Sequence, residues 1–264
     1  MSENNNRTTR RALVGLVPMA GRATRLTQLP CSKEIYPLHA VTDDEGDGQP
    51  RAVCEHLLGK MRDAGVNNIY LVLREGKWDI PAYLGDGSRA GVHLAYLMMG
   101  LPYGTPYSAD QAYPFVSDAI VAFGFPDMLF GPENIFARLL EYRDAMCADV
   151  ALGLFPADRP QKVDMVETGA DGKVKRIVIK PATTDLKCTW GVAVWNPTFT
   201  QFMHDYLARH QHSASASPEL FVGDIIQAAI QSGLTVRATP VSEQPYLDIG
   251  TPDDLERARN PPLA

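Results

Sequence analysis

Three segments combine residue types that can handle phosphate and a hard cation. The first is PMAGRATRL, residues 18–26, a run of small residues punctuated by Arg22 and Arg25. After a strand, such a loop lets backbone N–H groups approach phosphate oxygens, and the guanidinium groups add charge. Lys33 follows close behind; the alternative reading of the loop is an ordinary turn. The second is Asp127 in FGFPDMLF, just past the most apolar run of the chain. A carboxylate at the carboxyl end of a buried strand is a good ligand for Mg2+, or else an N-cap or turn residue. The third is Asp248 in PYLDIGTPDDLERA. Asp253 and Asp254 there are explained by the dipole of a helix N-terminus. Asp248, in a strand-like lead-in, is not.

Other chemistries have no residues to carry them. The chain has neither G-x-G-x-x-G nor G-x-x-x-x-G-K-[ST], so a dinucleotide fingerprint and a P-loop are both unsupported. No Ser-His-Asp or Cys-His pattern stands out, and no D-x-D closes a suitable strand. Cys31, Cys54, Cys147 and Cys188 lack metal-finger spacing and read as reduced thiols. His210 and His212 fall in a Ser/Ala-rich stretch and read as exposed loop residues.

The elements that must position the three segments alternate between strand and helix patterns. Ala12–Val17, Asn68–Leu73, Val92–Met98, Ala119–Phe125 and Val150–Phe155 read as strands. Ala52–Ala64 and Pro132–Ala145 read as helices, the first with Gly65 as its stop. Beyond residue 160 the pattern changes to a hairpin, Met165–Thr168 with Val174–Ile179, then a strand at Gly191–Trp195. Helices at Phe199–Arg209 and Leu220–Gln231, a strand at Thr235–Pro240 and a helix at Pro252–Arg259 follow. Residues 43–50 form a polar loop. This predicts an α/β fold, a Rossmann-like three-layer αβα sandwich around a mixed, mostly parallel sheet. We expect a disordered tail over 1–11 and a single domain over 12–260. Within it, a nucleotide-binding half spans about 12–150 and an acceptor-binding half about 151–260.

With 45% hydrophobic and 21% charged residues over 264 positions, the composition is that of a soluble globular chain. A net charge of −6 advertises no nucleic-acid surface. No apolar run approaches a membrane span and no signal-peptide pattern opens the chain, so the expected setting is cytoplasmic.

Taken in order, the segments resemble the sugar nucleotidyltransferases, most closely the glucose-1-phosphate thymidylyltransferase and uridylyltransferase group. Thr24, Arg25 and Leu26 match the end of the family's L-A-G-G-x-G-T-R-L, and SKEIYPL supplies its Lys33 and Pro37. YLGDGSRAGVHLAY, residues 83–96, is similar to L-G-D-G-S-x-x-G-x-x-L-x-Y. FPDMLF, IKPAT and YLDIGTPDDLERA match L-G-D-N-x-F, E-K-P and W-x-D-T-G-T-P-x-x-L-x-x-A. The resemblance implies condensation of a nucleoside triphosphate, a pyrimidine by preference, with a sugar-1-phosphate. It implies catalytic roles for Arg25, Lys33, Asp127 and Asp248, with Mg2+ held by Asp127 and Asp248. It implies nucleotide contacts from Ala20, Gly21, Arg22, Thr24, Met99 and Gly104, and acceptor contacts from Lys180, Glu167, Gly191 and Asp164. Relatives often form dimers or tetramers.

The departures fall on the substrate side. Ala20 and Ala23 replace glycines, and the segment from Leu26 to Lys33 is about two residues shorter. Met99 stands where the family has a base-reading Gln. Asp164 replaces Gly, and Ile179 replaces the Glu of E-K-P, which holds sugar hydroxyls. The reading is therefore a conserved reaction type with altered substrate identity. A non-sugar phosphate or phosphonate acceptor, or a non-catalytic binding module, stays open.

Overall fold

The structure is a computed structural model that describes residues 11–21, 26, 29–38, 50–100, 103–210 and 219–259. One nine-stranded sheet runs through both halves. Its strands are β1 (Leu13–Pro18), β2 (Asn68–Arg74), β3 (His93–Met99), β4 (Ile120–Gly124), β5 (Val150–Pro156), β6 (Met165–Thr168), β7 (Val174–Val178), β8 (Cys188–Trp195) and β9 (Val236–Pro240). The order is β7-β6-β8-β4-β1-β2-β3, with β5 also paired to β8 and β9 paired to β5. β4, β1, β2 and β3 run parallel, as do β5 and β9, while β8 opposes both β4 and β5. The predicted mixed, mostly parallel α/β sheet is the observed one.

Side chains along the central strands alternate strictly between two cores, as the pleat requires. Val14 and Leu16 of β1, Val121 and Phe123 of β4, and Leu152 and Leu154 of β5 face one side. Val17, Ala122, Ala151 and Phe155 face the other. Helices α3 (Thr105–Asp110), α6 (Pro197–Arg209) and α7 (Val222–Gln231) cover the first face through Ala109, Phe199, Met203, Val222 and Ile225. Helices α1 (Val53–Asp63), α2 (Asp79–Leu84) and α5 (Ile135–Ala145) cover the second through Leu57, Leu58, Ile80, Phe136 and Leu139. Each such buried side chain is worth roughly 1.5–3 kcal/mol of transfer free energy.

Helix ends follow local chemistry. Asn196 caps α6, accepting from Thr198 N–H at 3.0 Å and Phe199 N–H at 3.3 Å, with Pro197 in the first turn. Thr251 accepts from Asp254 N–H at 3.3 Å at the start of α8 (Pro252–Arg259). The periodicity missed α2, α3 and the four-residue α4 (Tyr113–Val116), each too short to show a repeat. Residues 1–10 of the expected tail and 43–49 of the polar loop lie outside the described residues.

Candidate active site

β1 is central, flanked by β4 and β2, and its carboxyl end opens into the small-residue loop. Met19 N–H donates to Val72 O at 2.8 Å, continuing the strand register. Ala20 is buried, and Gly21 is exposed with open space around its Cα. Arg22, Ala23, Thr24 and Arg25 lie outside the described residues.

Asp127 follows β4 at the same edge of the sheet. There Met128–Leu129 pairs antiparallel with Leu247–Asp248, setting Asp248 opposite Met128, and Ile249 N–H donates to Asp127 O at 2.9 Å. Lys33 reaches this ribbon from a 3-10 turn, Lys33–Ile35, and its ammonium is ion-paired with Asp127. Burial works against the charge on Lys33. Asp127 beside it, with Glu34 and Asp248 further off, more than offsets that cost and raises its pKa above the ordinary lysine value. His56 of α1 braces the far end of the ribbon: its Nε2 stands 3.0 Å from Phe130 N and 2.8 Å from Phe130 O. Burial, then the Lys60 ammonium, pushes its pKa down to about 4, so the ring is neutral.

Asp164 and Lys180 stand near the point where β8 bends. Its register shifts between Trp190 and Val192, at Gly191, where a Cβ would run into Met128, Phe155 and Tyr246. Thr189, next to the bend, donates through its hydroxyl to Asp164 O at 2.8 Å. Burial, reinforced by Asp224 and opposed by Lys180 and the Trp190 indole, raises the Asp164 carboxyl from 3.8 to about 6. Lys180 adopts a left-handed backbone, φ 38°, a sparsely populated conformation for a side-chain-bearing residue. Its ammonium lies 3.6 Å from the centroid of the Phe221 ring. Ile179 and Asp164 both press on Gly223, leaving no room for a side chain there. Tyr246, its pKa raised by burial, links the two clusters electrostatically, since it feels both Asp248 and Asp164.

Lys33, Asp127 and Asp248 thus group past the carboxyl end of β4, and Asp164 and Lys180 group beside Thr189 and Phe221. The nucleotidyl transferase family profile matches residues 15–262. The chain belongs to the nucleotidyl transferase family.

Relatives agree with the family assignment. The low-salt glycan biosynthesis nucleotidyltransferase of Haloferax volcanii is 26% identical over 211 residues, covering 79% of this chain and 56% of the relative. A glucose-1-phosphate thymidylyltransferase of Streptomyces griseus is 27% identical over 249 residues, covering 91% of this chain and 63% of the relative. The chain therefore spans less than two thirds of either relative's length. A Bacillus anthracis structure assigned as a glucose-1-phosphate thymidylyltransferase, solved with sucrose, shares the fold at a TM-score of 0.78. It is 18% identical, with 94% of each chain covered.

Within this nucleotidyl transferase three further predicted residues are described, Met99, Gly104 and Glu167. Met99 closes β3, opposite Arg74, and packs half-buried against the core. Gly104 has φ 131°, and a Cβ there would lie 2.1 Å from Leu220 O, so only glycine fits this bridge between residues 104 and 220. Glu167 turns its carboxylate to Arg176 at 2.7 Å and Lys175 at 3.6 Å on the solvent side of the hairpin. Sequence reasoning missed Phe221, Asp224 and Trp190, which border the Asp164–Lys180 cluster. Nothing in their own segments marks them, because only the packing of α7 on β7 and the pairing of β6 with β8 bring them in.

Proposed function

We propose that this protein joins the nucleotidyl group of a nucleoside triphosphate to a sugar-1-phosphate and releases pyrophosphate. The observation that carries the reading is the meeting of Lys33, Asp127 and Asp248 at the carboxyl edge of a parallel sheet, with Lys180 near the β8 bend. An oxygen of the acceptor phosphate attacks the α-phosphorus, and the bond from that phosphorus to the oxygen bridging to the β-phosphate breaks. Pyrophosphate takes the bonding electrons. The attacking phosphate is already ionised near neutral pH, so no protein nucleophile or strong base is required.

The residues then act by positioning and charge. Lys33 neutralises the triphosphate and the departing pyrophosphate, and Lys180 holds the acceptor phosphate. Arg25 and the loop around Ala20, Gly21, Arg22 and Thr24 are assigned to the triphosphate by resemblance. Asp127 and Asp248 would hold Mg2+. A pair of carboxylates that both act on the Lys33 ammonium, with no group of three or more His, Cys, Asp or Glu among the described residues, suits an ion that keeps waters and takes phosphate oxygens. Such an ion supplies charge stabilisation at the α-phosphate. The proposal includes a pyrimidine nucleotide, with Met99 and Gly104 on the base side, a homo-oligomer and a cytoplasmic setting. The four cysteines, all free thiols, are consistent with that setting.

One observation favours a second acceptor class. Ile179 and the Phe221 ring line the ground around Lys180 with apolar surface, and such surface cannot hydrogen-bond sugar hydroxyls. A non-sugar phosphate or phosphonate fits that surface. The test is pyrophosphate release across a panel of nucleoside triphosphates and phosphorylated acceptors with Mg2+. Release with a sugar-1-phosphate that is lost in Asp127→Asn supports the first reading. Release only with a non-sugar acceptor supports the second. Nucleotide binding without release across the panel would make the protein a binding module.

A further inference from the structure

The turn that carries Lys33 is gripped on both sides by the loop after β2 and the first residue of α2. Ser32, before it, gives its N–H to Asp79 Oδ2 at 2.6 Å and its hydroxyl to Asp79 Oδ1 at 2.8 Å. Glu34, after it, takes the Lys77 ammonium at 2.5 Å. Lys33 itself goes to Asp127. The gripping residues leave the carboxyl end of β2, where Lys77 N–H donates to Arg74 O at 3.3 Å, and β2 pairs with β1. A mechanical path therefore runs from the central sheet through Lys77 and Asp79 to the lysine at the metal-candidate ribbon.

The chemistry of this grip is not what stability alone calls for. Glu34 and Lys77 are 1% and 4% exposed. Dehydrating two charges cancels most of their attraction, and apolar side chains of similar volume hold a fold at least as well. One oxygen of Glu34 is buried without a hydrogen-bond partner, a further cost. What a buried pair with a bidentate neighbour supplies is a single geometry. We propose that Lys77 and Asp79 are positioning residues for Lys33, acting through Glu34 and Ser32 to fix where its ammonium stands. This inference rests on the role given to Lys33 above.

The test separates position from stability. In the double variant Glu34→Leu with Lys77→Met, both charges go and the volume stays. The melting temperature should hold. Lys33 should react several-fold faster with an amine-acylating reagent, read peptide by peptide by mass spectrometry. The kcat for pyrophosphate release should fall on the order of 10²-fold, the cost of a misplaced catalytic group, with the acceptor KM unchanged. Lys77→Arg, which keeps the ion pair, should label Lys33 at the wild-type rate. If the double variant does not fold, Asp79→Asn carries the same labelling comparison. Unchanged Lys33 labelling in a folded variant overturns the proposal and leaves the grip a stabilising contact only. A wild-type protein that releases no pyrophosphate would instead overturn the functional reading, and the labelling would still decide this one.

Discussion

Asp127 and Asp248 are neighbours across a two-stranded ribbon, with Asp248 paired to Met128 and Ile249 N–H bonded to the Asp127 carbonyl at 2.9 Å. The pairing joins the loop after β4 to the segment leading into α8. In such a ribbon a slip of one residue turns every side chain to the opposite face. Register therefore fixes where the backbones of Asp127 and Asp248 stand, and Lys33 is tied to Asp127 by its ion pair.

Replacing either carboxylate should separate folding from catalysis. Asp127→Asn and Asp248→Asn should each cut kcat for pyrophosphate release by about 10²–10³-fold, as removal of a charge-stabilising group does. Thermal melts should show the fold retained. A variant with full activity at saturating Mg2+ would remove that residue from the metal assignment.

Gly223 offers a steric test of the acceptor side. A Cβ there would sit 2.5 Å from Asp164 Oδ2 and 2.7 Å from Ile179 Cδ1. Gly223→Ala should displace both side chains, raise the acceptor KM and leave the nucleotide KM unchanged. The strain of overpacking should cost about 1–3 kcal/mol in denaturant unfolding. An unchanged acceptor KM would place the acceptor elsewhere.

Asp164 predicts a pH dependence of stability. Its folded pKa of about 6 stands above 3.8, because burial disfavours the charged form. The folded state holds the proton more tightly, so this contribution is complete below about pH 4 and is lost as pH rises through 6. Asp164→Asn should remove that fall and stabilise the protein above pH 6 by roughly 1–3 kcal/mol. Denaturant midpoints across this range measure it; a midpoint that moves with pH identically in both proteins would assign the effect to another group.

His56 predicts the opposite slope. Its folded pKa of about 4 lies below 6.5, since burial and Lys60 disfavour the imidazolium. The unfolded chain takes up the proton first, so stability is complete above about pH 6.5 and falls as pH drops toward 4. In His56→Leu this acid-side loss should vanish, against a lower overall stability because the Phe130 backbone loses its imidazole partner. Melting curves of the two proteins between pH 4.5 and 7 decide it, and parallel curves would count against the assignment.

The sequence by itself determined the periodic part of this protein. Alternation in β1, β4 and β5 dictated which side chains face which core, and the ordered segments from PMAGRATRL to YLDIGTPDDLERA carried the family. Those signals are local, repeating every two residues in strands or lying within one short segment. The placement of the site was not local. Only the tertiary structure paired Asp248 with Met128, laid Phe221 and Asp224 against Asp164 and Lys180, and sent Glu167 to Arg176 and Lys175 on the solvent side. The grip of Lys77 and Asp79 on the Lys33 turn is of the same kind. Charged residues in a polar loop carry no period, so their partners are decided by which strand ends the sheet order brings together.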